Sequence, residues 1–403
     1  MHTTPSSAPR TRPLRVAYVL GGLPFGGIER WLLDLCREYH DGTRIVPRVF
    51  NLSGTGALAA DYTENGVDVC NVAQGLRAIT VYRLDTALAL RRQLRAFAPD
   101  IVHTCHFSAN HLGRLANLGT GIPLLLHLHN TKREKRLERR LSDKVLSYAT
   151  SRYLAVSKAV AQTVAQDHNI AGRPVDVLYN AIEPSRFTAA PVDLAAEFGG
   201  RFGSDGPVVL STGRYVPQKN YDLLIRAMGL LRDAGVTSSL VLVGEGPERP
   251  RLEALRAELG LEKHVVLAGF REDVARFYAA ADVFAAPSAF EGFLISQLEA
   301  MYCGLPCVVS RHVPLLEIAS SASLVCETNA EDIAAKLHTL LTDPQRRASL
   351  SETARRVAAP HTMQNYATAL YTYYLAMLGE RTLADVTATQ AGYPHSLFCP
   401  VRG

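Results

Sequence analysis

Two carboxylates stand eight positions apart in Glu291-Gly-Phe-Leu-Ile-Ser-Gln-Leu-Glu299, shortly after Phe284-Ala-Ala-Pro-Ser288. An apolar run from Ala281 to Ala286 ends at Pro287 and Ser288, a glycine turn follows at Gly292, and a helical pattern begins. This predicts strand, loop and helix, with Glu291 on the loop at the strand's C-terminal end. Glu299 then falls about two turns into the helix, on roughly the same face. Open α/β sheets bind ligands at that edge, and a helix N-terminus there offers unpaired N–H groups to an anion. One short segment could hold a phosphate, hydrogen-bond a ribose hydroxyl and aim a carboxylate at a sugar.

Other segments carry chemistry of the same kind. In Ser211-Thr-Gly-Arg214-Tyr-Val-Pro-Gln-Lys219-Asn220 a strand runs into a loop with two cations five residues apart. Arginine supplies a bidentate fork and lysine a point charge, a suitable pair for a diphosphate; ordinary solvated loop charge is the other reading. Phe270 follows Ala268-Gly269 at another strand end, where backbone groups could meet a nucleobase. Leu124-Leu-Leu-His127-Leu-His129-Asn130 puts two histidines on one face of a strand end, as substrate contacts or as satisfied strand histidines. No carboxylate or cysteine cluster in the sequence supports a metal there. The loop Gly21-Gly-Leu-Pro-Phe-Gly26-Gly27 lets a phosphate or sugar approach the backbone, or is simply a tight turn. It lacks the Gly-x-Gly-x-x-Gly dinucleotide fingerprint and the Lys-Ser/Thr of a P-loop. The run 132–140, with six cations against two anions, reads as a solvated helix face or as a contact for anionic lipid headgroups. Asp-x-Asp and Gly-x-Ser-x-Gly are both absent.

Short apolar runs alternating with amphipathic stretches position these residues, the signature of α/β units with parallel sheets. Strands are expected at 15–20, 45–52, 101–103, 124–128, 153–156 and 175–179, and again at 208–211, 240–243, 265–268, 283–286 and 306–309. Residues 1–13 read as a disordered leader, 14–185 as a first domain, 186–206 as a Pro/Gly-rich linker and 207–360 as a second domain. A helix over 361–379 follows, and the tail 380–403 shows no pattern. With 403 residues, 47% hydrophobic and 20% charged, the chain has the composition of a soluble globular protein. No run approaches the roughly 20 apolar residues that span a bilayer. Seven scattered cysteines suit a reducing, cytoplasmic setting. A net charge of +5 suits an anionic small ligand or a membrane surface better than nucleic acid.

The ordered set of motifs resembles the retaining, GT-B-fold glycosyltransferases of family GT4 ("glycosyl transferases group 1") from about Arg15 to Leu378. Glu291-x7-Glu299 followed by Ala-Met-Tyr-Cys-Gly-Leu-Pro306 is the strongest element. Gly26-Gly27-Ile-Glu29, Ala155-Val-Ser157 and Val177-Leu-Tyr-Asn-Ala-Ile182 support it. The resemblance implies two Rossmann-like domains with a cleft between them. Its co-substrate is a nucleoside-diphosphate sugar, most often a UDP-sugar, with no obligatory metal. The acceptor is a saccharide, lipid-linked or small hydroxylated molecule; the basic run 132–140 adds the expectation of peripheral contact with the inner membrane face. Arg214 and Lys219 would hold the phosphates and Glu299 the ribose. Glu291 and His129 would face the donor sugar. Gly27, Phe270, Gly292, Phe293 and Leu294 would complete the donor site. Gly26, Glu29 and His127 would meet the acceptor. Leu294 replaces a common Gly or Pro, Ser296 and Gln297 replace aliphatic residues, and Ser310-Arg-His-Val-Pro-Leu-Leu-Glu317 replaces Gly-Gly-x-x-Glu.

Overall fold

The computed structural model describes residues 10–80, 83–131, 137–166, 172–198, 206–390 and 397–400. The chain divides into two compact units, Met1–Ala181 with Met363–Gly403, and Ile182–Thr362. In the first unit, strands β1 (Leu14–Leu20), β2 (Ile45–Asn51), β3 (Asp68–Asn71), β4 (Ile101–Cys105), β5 (Leu124–Leu128), β6 (Arg152–Ala155) and β7 (Val175–Leu178) alternate with helices. These are α1 (Gly27–Glu38), α2 (Ala59–Glu64), α3 (Leu84–Phe97), α4 (Phe107–Asn117), α5 (Leu137–Ser147) and α6 (Lys158–Gln166).

The second unit opens with the single turn α7 (Leu194–Glu197) and continues with β8 (Val208–Thr212), α8 (Tyr221–Asp233), β9 (Ser239–Val243), α9 (Arg249–Glu258) and β10 (Val265–Gly269). Then come α10 (Val274–Ala280), β11 (Val283–Ala286), α11 (Ile295–Tyr302), β12 (Cys307–Ser310), α12 (Leu316–Ala319), β13 (Ser323–Cys326), α13 (Ala330–Thr342) and α14 (Pro344–Ala358). Helices α15 (Met363–Met377) and α16 (Leu383–Ala388) and strand β14 (Phe398–Pro400) belong to the first unit.

The first sheet has the order β14-β7-β6-β5-β4-β1-β2-β3, and only β14 is antiparallel to its neighbour. The second sheet, β10-β9-β8-β11-β12-β13, is parallel throughout. Central strands such as β4 and β9 are buried at every position, as parallel strands covered by helices on both faces must be. Each sheet reverses its winding beside its first strand: β1 lies between β2 and β4, and β8 between β9 and β11. Chains leaving β1 and β4, or β8 and β11, turn to opposite faces, so a crevice opens between them at the strands' C-terminal ends.

Three stretches differ from the sequence expectation. Arg10 and Arg12, placed in a disordered leader, pair with Asp100 at 2.8 and 2.6 Å, because that carboxylate stands at the start of β4 beside the incoming β1. Residues 1–9 lie outside the described residues. A 3-10 turn at Pro184–Phe187 leads into the linker, which contains the turn of α7, capped by Asp193. It is tied to the second unit by Val192 N donating to Arg276 O and by Arg271 on Glu197 at 2.6 Å. The tail forms α16, with a Thr382–Asp385 capping box, and β14 on the edge of β7, where Phe398 is buried against Tyr373. Residues 132–136 of the basic run, and the side chains up to 139, lie outside the described residues. Among the described residues no helix is long and apolar enough to cross a membrane.

Candidate active site

In the second unit the site is built at the β8/β11 reversal. Beyond Thr212 the chain passes through Gly213, whose φ of +146° suits glycine and over which Lys219 lies: an added Cβ would stand 3.2 Å from Lys219 Cε. The loop then makes a 3-10 turn at Pro217–Lys219 and ends at Asn220, held in the left-handed region at φ 51°. Asn220 Nδ2 donates to Pro287 O at 2.9 Å, Gln218 Nε2 to Phe290 O at 2.8 Å, and Ala289 N to Gln218 O at 2.8 Å. These bonds lash the loop after β8 to the loop after β11. Lys219 Nζ consequently donates to Glu291 Oε1 at 2.8 Å, with both side chains largely shielded. Arg214 is exposed and forms no side-chain bond with a described residue.

Glu299 lies on α11, which starts only at Ile295, so it stands in the second turn rather than two full turns in. The helix starts late because Leu294 takes φ 76°, ψ 73° at its N-cap, where a left-handed bulky residue is strained. Tyr278 of α10 donates to Glu299 Oε2 at 2.8 Å and bonds Thr212 Oγ1 at 2.8 Å. Burial, with the Glu299 charge beside it, pushes the tyrosine hydroxyl well above its usual range, so it remains a donor. Gly292 and Phe293, on the loop before α11, are buried. Phe270 is 53% exposed at the end of β10, the sheet's edge strand. The second unit thus gathers Arg214, Lys219, Glu291, Gly292, Phe293, Leu294 and Glu299 around one reversal, with Phe270 two strands away.

The first unit holds the remaining residues. His127 of β5 is fully buried, and neither ring nitrogen bonds a described residue. It is packed among His129, His103 and Trp31 at centroid distances of 4.0, 5.2 and 5.3 Å. This corrects the expectation that His127 meets an acceptor: it is a core histidine, because its face of the sheet is covered by the aromatic residues of α1 and α15. His129, two residues on, keeps Nε2 buried although the residue is partly exposed, and is the histidine nearer the strand ends. Burial, with His106 and His103 nearby, holds His129 well below the usual histidine range, so it is neutral at pH 7. His103, Cys105 and His127 bring one ligand atom each within 4.8 Å of one another, a soft-metal geometry for which the sequence showed no cysteine support.

Glu29, expected to face an acceptor, is only 5% exposed and accepts from His106 Nε2 at 2.9 Å. Its other oxygen covers Gly26, where a Cβ would lie 2.2 Å from Oε2; at Gly27 an added Cβ meets nothing within 4 Å. Gly26 therefore has a steric reason to be glycine and Gly27 has none. His106 and Tyr278 were missed from sequence. The cluster His103-Thr-Cys105-His106 at a strand end was a usable signal for His106, whereas Tyr278 acts through space and leaves none in its helix.

Known proteins agree with this architecture. Residues 25–186 match the family model Glycosyltransferase Family 4 and residues 196–357 the model Glycosyl transferases group 1. The chain belongs to this family of glycosyltransferases. It is 34% identical over 190 residues to a GDP-mannose-dependent alpha-(1-6)-phosphatidylinositol monomannoside mannosyltransferase of Mycolicibacterium smegmatis, covering 44% of this chain and 50% of that enzyme. It is 29% identical over 377 residues to a D-inositol 3-phosphate glycosyltransferase of Salinispora arenicola, covering 83% of each. The chain spans about half the length of several curated relatives that it matches. Its fold resembles Anabaena HepE in complex with UDP-glucose, with TM-score 0.76 at 21% identity over 90% of this chain and 99% of that one. The fold is therefore GT-B: two α/β units, each on its own sheet, parallel apart from the edge strand β14.

Proposed function

We propose that the chain transfers a sugar from a nucleoside-diphosphate sugar, most readily a UDP-sugar, to a hydroxyl of a saccharide or natural-product acceptor, with retention and without a metal ion. The observation that carries this reading is the β8/β11 reversal, where Lys219 bonds Glu291, Arg214 stands exposed on the loop after β8, and Tyr278 holds Glu299 on α11. Breaking the glycosidic bond leaves negative charge on the diphosphate, and fixed cations together with helix N–H groups stabilise that charge without proton transfer. In the free chain Glu291 neutralises Lys219. A bound diphosphate competes for the ammonium, which turns the Glu291 carboxylate toward the sugar. Glu299, held by Tyr278, accepts from the ribose. His129, neutral at pH 7, can hydrogen-bond a sugar hydroxyl. Retention needs no second carboxylate in a glycosidase arrangement. The names of relatives support nucleotide-sugar donors, GDP-mannose in one case and UDP-glucose in a structural neighbour.

A thermal-shift series with UDP, GDP, ADP, CMP, dTDP and NAD tests the donor, with stabilisation by one nucleoside diphosphate expected. Stabilisation by NAD alone, or by none, overturns the reading. Turnover should survive EDTA; loss that Mg²⁺ or Mn²⁺ restores contradicts metal independence. Activity on a lipid-linked acceptor that requires liposomes would identify a membrane substrate, and full activity without them a soluble one.

A further inference from the structure

Three buried ligand atoms meet in the core of the first unit. His103 and Cys105 lie two apart on β4, so both side chains leave the same face of the sheet. Strand register brings in the third: Cys105 pairs with His127 across the β4–β5 ladder, which sets the two side by side on that face. Two imidazole nitrogens and one sulfur thus come within 4.8 Å of one another, and all three residues are 0% exposed.

Polar atoms buried this completely are ordinarily hydrogen-bonded. Yet His127 bonds no described residue through either ring nitrogen, and His103 bonds none through Nε2. The bonds around His103 fix its tautomer. Tyr374 of α15 donates its own proton to Tyr18 at 3.1 Å, so its oxygen can only accept from His103 Nδ1, 2.6 Å away. Nδ1 therefore carries the hydrogen, and Nε2 is left with a bare lone pair. An imidazole oriented through one ring nitrogen, with the other free, is how proteins hold a metal ligand. Water would serve the nitrogens, but Cys105, a free cysteine, adds a group that is weak in hydrogen bonding and strong as a metal ligand.

We propose that His103, Cys105 and His127 bind a thiophilic metal ion, Cu⁺ or Zn²⁺, as a structural clasp between β4 and β5. One sulfur with two imidazoles suits both ions and not the oxygen-seeking Mg²⁺ or Ca²⁺. Cu⁺ with a single thiolate is neutral in the apolar core, whereas Zn²⁺ keeps a positive charge and seeks a fourth ligand. On binding, the thiol proton leaves to solvent and the thiolate donates its electron pair to the ion. The ion also keeps both imidazoles unprotonated, in the same sense as burial does. All three ligands are sealed from solvent, so the ion enters as the chain folds and chelators do not reach it afterwards. The site stands independently of the glycosyltransfer reading and takes no part in the chemistry of the β8/β11 reversal.

The full chain is produced in medium supplemented with copper, with zinc or with neither, and purified under reducing conditions in EDTA. Elemental analysis should find one copper or zinc ion per chain, and the loaded protein should melt higher than the metal-free protein. Cys105→Ala, which leaves both histidines in place, should lose the ion and the rise in Tm together. Cys307→Ala, at a buried cysteine of the second unit, should keep both. X-ray absorption at the edge of the bound metal should show sulfur beside imidazole nitrogen in the wild type, a result that stands even if Cys105→Ala does not fold. Wild-type protein that retains no metal from either medium overturns the site. So does an equal metal content in Cys105→Ala, or a coordination shell without sulfur.

Discussion

At the residue scale, the second unit's site is a contest for charge. Lys219 is bonded to Glu291 and Arg214 is exposed, so under the proposed function a diphosphate would meet one cation already placed and one still to be recruited. Replacing either with Ala should lower turnover about 100-fold or more, as loss of one transition-state donor does elsewhere; steady-state kinetics with saturating donor decides it, and unchanged turnover removes the phosphate role. Tyr278 makes a different contribution. Its hydroxyl joins Thr212, at the end of β8, to Glu299 on α11. Tyr278→Phe leaves a charged acceptor without this donor, at a cost of about 1.5–3 kcal/mol. We expect nucleoside diphosphate affinity, measured by calorimetry, to fall roughly tenfold. The penalty for a donor lacking a ribose hydroxyl should shrink in the same variant, because Glu299 is no longer held for it.

At the element scale, the N-terminus of α11 is held by a residue that dislikes its own backbone. A left-handed Leu294 costs about 1–3 kcal/mol, yet the side chain is only 7% exposed, and emptying such a site costs about 2–5 kcal/mol. Burial wins. Leu294→Gly should therefore destabilise, by clearly less than Leu298→Gly, where a fully buried leucine in regular helix carries no strain to relieve. Urea denaturation of the two variants checks the order. Most elements were legible because β-branched and leucine runs alternate with amphipathic stretches. β3, Asp68-Val-Cys-Asn71, was not, because it is an edge strand with exposed ends. β14 was not, because Phe398-Cys-Pro400 carries no periodicity and becomes a strand only against β7.

At the scale of the whole molecule, buried neutral histidines tie stability to pH. Burial lowers His103 to about 3, and burial with its histidine neighbours lowers His127 well below the usual range. Unfolded, both titrate near 6.5. Above that pH neither state binds the proton. Below it the unfolded chain takes up protons that the folded chain refuses, so stability is lost as pH falls from about 6.5 toward the folded values. Each histidine contributes up to about 1.4 kcal/mol per pH unit in that window. Thermal melts between pH 7 and 5 should fall steadily, and His127→Phe should flatten the slope; a flat wild-type profile would mean that these histidines are charged or solvated when folded.

The sequence by itself determined the two α/β units, the carboxylates at 291 and 299 and the cations at 214 and 219, because strand periodicity, glycine loops and charged strand ends are local and leave local patterns. It also carried Glu29 and His106 without joining them, since 77 positions separate the two. Only the tertiary structure decided that β1 and β4 diverge at a reversal, so that these residues meet. In the same way it buried His127 under Trp31 and set Cys105 beside it. Proximity across strands depends on sheet order, and sheet order is settled by packing both faces of the whole sheet, a sum over distant residues that no single segment contains.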